Sequence, residues 1–289
     1  MTFLGERKYL QDYAQNDYSG AGEIVELGCW LGSLTVPLLL GLKQNRVASK
    51  GLDTVHAYDI FQWEEWMEPH YNKTVFSTHP KPGQSFLAEF AHQVLPYNTE
   101  GRLVVHAGDL LRAGWCGRQI EMLVVDVMKS WELANGVLKD FYSCLIPGKS
   151  YVFHQDFSHW YTSWIHLIQY HLRDYFEPIV DLPGCCTFVF KHTKPIPEEA
   201  LNRAYSFADF SDQQIAEAFD YSHSLTAPNL ANPNYRWKCT EIQAARVMTY
   251  VHQRKIEQAQ HELRAAVGRG FAIDGALKIA QEQLAKILP

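Results

Sequence analysis

Glu26-Leu27-Gly28-Cys29-Trp30-Leu31-Gly32-Ser33 is the stretch on which the fold turns. It ends an apolar strand candidate, Glu23 to Gly28, and opens a helical pattern from Gly32 to about Gln44 with Leu34, Leu38 and Leu42 on one face. Glycines at a strand-to-helix turn permit backbone paths that other residues disfavour and let a ligand approach the main chain. The helix N-terminus that follows offers unpaired N–H groups. A dinucleotide fingerprint reads GxGxxG. Here the spacing is ExGxxxG, with Cys29 and Trp30 where the second glycine would fall. Pyrophosphate fits that loop poorly, and a smaller nucleoside bearing an amino acid fits it better. A purely structural strand–helix turn is the plainer alternative.

Outward from this loop, strands and helices alternate, which is the signature of a parallel sheet flanked by helices. Strand candidates run from Thr54 to Phe61, Arg102 to Asp109, Ile120 to Asp126 and Tyr151 to Asp156. Helical patterns lie between them at about Gln84–Leu95 and Ser130–Leu145, and a further one follows at Trp160–Tyr175. Two last strands, Phe176–Leu182 and Cys186–Lys191, are separated only by Pro183, Gly184 and Cys185, and so read as a hairpin. The predicted fold class is α/β, a Rossmann-like, mostly parallel sheet of seven strands with a C-terminal hairpin. The segment Gln62–Pro82, rich in Trp, His and Pro, fits neither period and reads as a loop or lid. Beyond Pro195-Ile196-Pro197 the chain turns helical, with a Pro/Asn-rich loop at Thr226–Pro233, one long helix at Thr240–Ala266 and another at Phe271–Leu288. The domains expected are therefore residues 1–195 and a helical extension over 196–289.

The 289 residues are 47% apolar and 20% charged, ordinary values for a soluble globular protein. A net charge of −6 argues against a dedicated nucleic-acid binder. The six cysteines include no CxxC pair, and a bridge between the adjacent Cys185 and Cys186 would be strained, which points to a reducing compartment. The first residues lack the layout of a secretion signal. The longest apolar run, Val36–Leu42, is too short to span a bilayer. The expectation is a cytoplasmic protein with no membrane partner.

The segment VELGCWLGSLT resembles motif I of class I S-adenosylmethionine-dependent methyltransferases, and the later pieces follow in that family's order over roughly Gly20–Thr193. The resemblance implies that Glu26, Gly28, Cys29, Trp30, Gly32 and Ser33 border S-adenosylmethionine, together with Asp126. It also implies that Asp59, in HAYDIF, accepts from the ribose hydroxyls, a task that suits an acceptor-only carboxylate. Asp109, in HAGDLL, matches the position that contacts adenine, although Gly-Asp is also a common turn.

Asp126 and Asp156 end the fourth and fifth strand candidates, at the carboxyl edge where open α/β sheets bind ligands. That layout is similar to the macrocin O-methyltransferase-like enzymes, which modify antibiotic sugars and hold magnesium on carboxylates at these strand ends. The resemblance implies a magnesium ion on Asp126, Asp156 and Gln155 that would orient a hydroxyl. Two departures stand against it: Met128 and Gln155 occupy positions where that group carries acids. Without a metal a base must come from elsewhere, and His159 and His154 flank Asp156. His159 is the preferred base, since a strand histidine such as His154 is commonly buried. His154, His159 and Asp126 are thus the catalytic candidates. Trp63, Trp66, His70 and Tyr71 in the lid suit either an acceptor wall or a structural cap.

The function this implies is methylation of a hydroxyl on a small molecule, a sugar or secondary metabolite, by an enzyme expected to pair with copies of itself. A non-catalytic binding or assembly subunit retaining the fold is the alternative. No zinc-ligand spacing accompanies the thirteen histidines, and no GxSxG elbow is present.

Overall fold

Strand β1, Glu23–Leu27, is buried at every position, and so is β4, Ile120–Val125. Both are mostly apolar, their glutamates (Glu23, Glu26 and Glu121) being buried as well, and they pair in parallel at the centre of the sheet with Leu27 opposite Val125. On one side β2, Val55–Asp59, and β3, Leu103–Ala107, continue the parallel ladder. On the other lies β5, Tyr151–His154, and then the antiparallel hairpin of β6, Phe176–Asp181, and β7, Phe188–His192. The strand order is β3-β2-β1-β4-β5-β7-β6, the seven-stranded, mostly parallel Rossmann-like sheet expected from the alternating pattern.

This computed structural model describes residues 2–47, 55–73, 75–115, 117–226 and 235–288. Thr54 at the start of the second strand candidate, Cys116, and the loop expected at Thr226–Pro233, apart from Thr226 itself, lie outside the described residues.

One face of the sheet is covered by α1, Leu4–Asp12, α2, Thr35–Gln44, and α3, Leu87–Val94. The N-terminal helix α1 and the π-helical turn Tyr13–Asp17 after it carry Leu10, Tyr13 and Ala14 into the core, an element the sequence reading did not anticipate. The opposite face carries α4, Leu110–Ala113, α5, Trp131–Asp140, and α6, Ser163–His171. The extension adds α7, Glu198–Leu201, α8, Asp212–Thr226, α9, Tyr235–His252, α10, Ile256–Gly268, and α11, Gly275–Lys286. These helices share one continuous apolar core with β4, β5 and α6, running from Leu123 and Phe190 through Ile165 to Phe219, Ile242 and Leu277. Polar contacts tie the same seam: the Ser163 hydroxyl donates to the Ala245 carbonyl at 3.0 Å, and His166 meets Ser222 at 2.8 Å.

Three local expectations are corrected. The long helix at Thr240–Ala266 is two helices, broken where Arg254 takes φ +56° and the N–H groups of Arg254 and Lys255 cap the end of α9. The helix after the glycine loop begins at Thr35 rather than Gly32, because residues 31–34 form turns. The fifth strand stops at His154, so Gln155 and Asp156 stand in a turn.

Candidate functional site

The chain reverses its direction of travel across the sheet between β1 and β4, and ligands of open α/β folds settle in the crevice at such a point. Gly28 lies on that crevice with φ +86°, and a Cβ there would meet the Asp126 carbonyl oxygen at 3.0 Å. The two strand ends are thus in direct contact, and the Asp126 N–H donates to the Leu27 carbonyl at 2.9 Å. Gly32 serves a different purpose from close approach of a ligand. Its φ is +80° and an added Cβ would lie 2.2 Å from Val94 Cγ2, so it seats α3 against the loop.

Asp59 organises the loop. One carboxylate oxygen accepts the N–H of Trp30 at 2.9 Å, and the other accepts the N–H of Phe61 at 2.8 Å. Trp30 and Phe61 both hold positive φ, +48° and +53°, which bulky residues rarely adopt. Burial, the first cause, and the nearby Asp126 push the Asp59 carboxyl up from its ordinary range, while these backbone donors oppose that shift. The carboxylate is half-buried and retains lone pairs for further donors. Glu26 lies deeper, 1% exposed, and accepts the Thr35 hydroxyl at 2.6 Å. Burial pushes its carboxyl up to about 8. Cys29 is buried, with its N–H on the Tyr58 carbonyl at 3.1 Å, and Ser33 is half-buried in the turn.

Asp109 is exposed and caps α4, accepting the Leu111 N–H at 3.0 Å. The Trp-rich segment holds a 3₁₀ helix, Glu65–His70; the main-chain N–H of Trp63 donates to the carbonyl of Gln84, ahead of α3, and the N–H of Ser77 donates to Glu89 of α3 at 2.9 Å. Trp63 is fully buried and its indole N–H donates to Glu68 at 2.7 Å, so it is a cap. Trp66 is 63% exposed and packs on Trp30, with ring centroids 5.6 Å apart. This aromatic cluster therefore adjoins the Asp59 side of the crevice, and the ends of β4 and β5 make its other side.

On that other side the structure brings Asp126 and Asp156 together with a residue the sequence reading missed. The Lys129 ammonium lies between them, 2.7 Å from Asp126 Oδ1 and in contact with Asp156 Oδ2. The magnesium site implied by the resemblance does not fit this arrangement. Lys129 already occupies the space between the two carboxylates and offsets one of their charges, Met128 is 2% exposed with its carbonyl accepting the Trp164 indole N–H at 2.7 Å, and Gln155 is buried. Among the described residues no group of three His, Cys, Asp or Glu could hold a metal ion.

Of the two candidate histidines, His154 lies in the core. It ends β5 facing Phe157, 2% exposed, and burial foremost drives its imidazole down to about 3. His159 is half-buried in the turn beyond Asp156, and burial followed by the Lys129 charge lowers it to about 4. Its neighbour Trp160 donates its N–H to Glu241 of α9 at 3.1 Å, so the helical extension buttresses the turn that carries Asp156 and His159. Burial pushes Glu241 up to about 7. Among the described residues no helix is long and apolar enough to cross a membrane.

No family model matches the chain, and no curated protein matches it. Among solved structures it is similar to the O-methyltransferase NovP, at 16% identity and a TM-score of 0.47, over 65% of this chain and 78% of that one. The calicheamicin methyltransferase CalS11 is similar at 16% identity and a TM-score of 0.45, over 65% of this chain and 76% of that one. A SAM-dependent O-methyltransferase from Thermotoga maritima is similar at 11% identity and a TM-score of 0.40, over 68% of each chain.

Proposed function

We propose that this chain is an S-adenosylmethionine-dependent methyltransferase acting on a hydroxyl of a small molecule, of the sugar or secondary-metabolite class. The observation that carries the reading is Asp59, a carboxylate fixed at the end of β2 by two backbone donors, with acceptor capacity left at the mouth of the crevice. A ribose diol is a matching pair of donors, and the glycine loop from Gly28 to Ser33 would hold the amino-acid end. When bound, that cofactor supplies an electrophilic methyl group. The chain's part is to orient an acceptor hydroxyl beside Asp126, Asp156 and His159. Orientation alone can supply about 7–11 kcal/mol of a barrier. His159 is neutral at pH 7 and is the proton acceptor of this reading; its lowered pKa makes it a weak base, so positioning carries most of the rate. A net charge of −6 favours a small neutral or cationic acceptor over nucleic acid. Assembly with copies of itself belongs to the same proposal.

Isothermal titration with S-adenosylhomocysteine tests it: micromolar binding by the wild type, and a loss of at least tenfold in Asp59→Ala. Absence of binding by the folded wild type would favour a non-catalytic subunit that keeps the fold. Once an acceptor is found, a pH–rate profile unchanged in His159→Ala would remove that residue from the reaction.

A further inference from the structure

The carboxyl ends of β4 and β5 carry a cation of the protein's own. Lys129 sits three residues beyond Asp126, in the connection between β4 and α5, and its ammonium bridges Asp126 and Asp156, which belong to different strand ends. A divalent ion here would need about six oxygen ligands. The surroundings offer few that are free. The Met128 carbonyl is taken by Trp164, the Gln155 carbonyl accepts the Thr187 hydroxyl at 3.2 Å, and the Asp156 carbonyl accepts the Thr162 hydroxyl at 2.9 Å.

We infer that Lys129 takes the place of a divalent cation at this site, holding the Asp126 and Asp156 carboxylates in a fixed relation, so that the protein needs no metal there. The arithmetic of charge supports it: one ammonium on two carboxylates leaves a residual −1, which has little to attract a second cation. The Lys129 side chain is itself 46% exposed, so the bridge lies at the surface and not in the core. Lys129 is a positioning residue in this account. Its field also reaches His159, the second cause of that imidazole's lowered pKa. The inference rests on the methyltransferase reading only for the meaning of the crevice; the bridge stands on the geometry alone.

The test uses Mn²⁺ as the probe, followed by loss of the free-ion electron paramagnetic resonance signal, and needs neither cofactor nor acceptor. The wild-type full chain is expected to leave the signal unchanged up to millimolar Mn²⁺. Lys129→Met, checked for folding by circular dichroism, uncovers the two carboxylates and is expected to bind one Mn²⁺ at least tenfold more tightly than the wild type. Lys129→Arg keeps a cation and should behave as the wild type does, and Asp126→Asn added to Lys129→Met should abolish the gain. Stoichiometric Mn²⁺ binding by the wild type overturns the inference, whether or not the variants fold. So does a folded Lys129→Met that binds no more Mn²⁺ than the wild type. Failure of the methyltransferase reading appears separately, as absence of S-adenosylhomocysteine binding in the calorimeter.

Discussion

The main-chain N–H of Trp30 donates to the carboxylate of Asp59 at 2.9 Å, tying the turn after β1 to the end of β2. The same carboxylate takes the N–H of Phe61, and both donors belong to residues in the left-handed region. Left-handed backbone costs roughly 1–2 kcal/mol per non-glycine residue, so Asp59 offsets two local strains while remaining open to a ligand.

Replacing Asp59 with alanine should therefore do two things at once. Loss of two hydrogen bonds to a charged group, at about 1.5–3 kcal/mol each, should lower the urea midpoint clearly. S-adenosylhomocysteine affinity should fall at least tenfold in the same protein. Asp59→Asn keeps one acceptor oxygen but turns an amide towards the second N–H, and should lie between. If alanine lowers stability but leaves affinity intact, Asp59 is a loop clasp only.

Gly32 gives a packing prediction. An alanine Cβ would meet Val94 Cγ2 at 2.2 Å, and φ is +80°. Overpacking of this kind costs about 1–3 kcal/mol, added to the left-handed penalty. Val94→Ala should return the overpacking part and none of the backbone part. A double-mutant cycle should thus show a coupling of roughly 1 kcal/mol or more; strict additivity would mean that α3 moves aside freely.

Glu26 gives a pH dependence. Its carboxyl rises from 4.5 to about 8 in the folded state because it is buried. Between those values the native protein holds a proton that the unfolded chain has released. This contribution to stability is therefore fully present below about 4.5, declines as pH rises and is gone above about 8. Glu26→Gln removes the titration, so its urea midpoint should fall less than the wild type's from pH 5 to pH 8. Parallel slopes in the two proteins would show that Glu26 does not titrate in that window.

The sheet was legible because β1 and β4 are mostly apolar, each interrupted only by glutamates, and the β6–β7 turn is marked by Pro183 and Gly184. Asp59 and Asp126 were legible because strand ends follow from those runs. The break between α9 and α10 was not, since Gln253, Arg254 and Lys255 are good helix formers and no Gly or Pro marks it. The burial of His154 was legible from its place in a strand, but the end of that strand at His154, two residues short of Asp156, was not, since Gln155 carries no turn signal. Lys129 stood in plain view three residues after Asp126, but its partner Asp156 comes from another strand, and local spacing cannot show that two strand ends share one cation.

The helical extension gives the last prediction. Lys238 of α9 is 2% exposed, and its ammonium meets the Asp181 carboxylate of β6 and the Leu182 carbonyl, the latter at 2.9 Å. Removing one partner of a buried pair costs about 3–5 kcal/mol, because the remaining charge stays in a place poor in water. Lys238→Met should accordingly lower the melting temperature by many degrees, and Asp181→Asn added to it should restore a substantial part. Because α9 also holds the turn bearing His159 through Glu241, the weakened protein should lose acceptor-side function before it loses S-adenosylhomocysteine binding on the β1–β2 side. Limited proteolysis across a temperature series, read beside calorimetric binding, checks that order. Simultaneous loss of helices α8–α11 and of binding would overturn that order and show that the extension and the sheet unfold as one unit through their shared core.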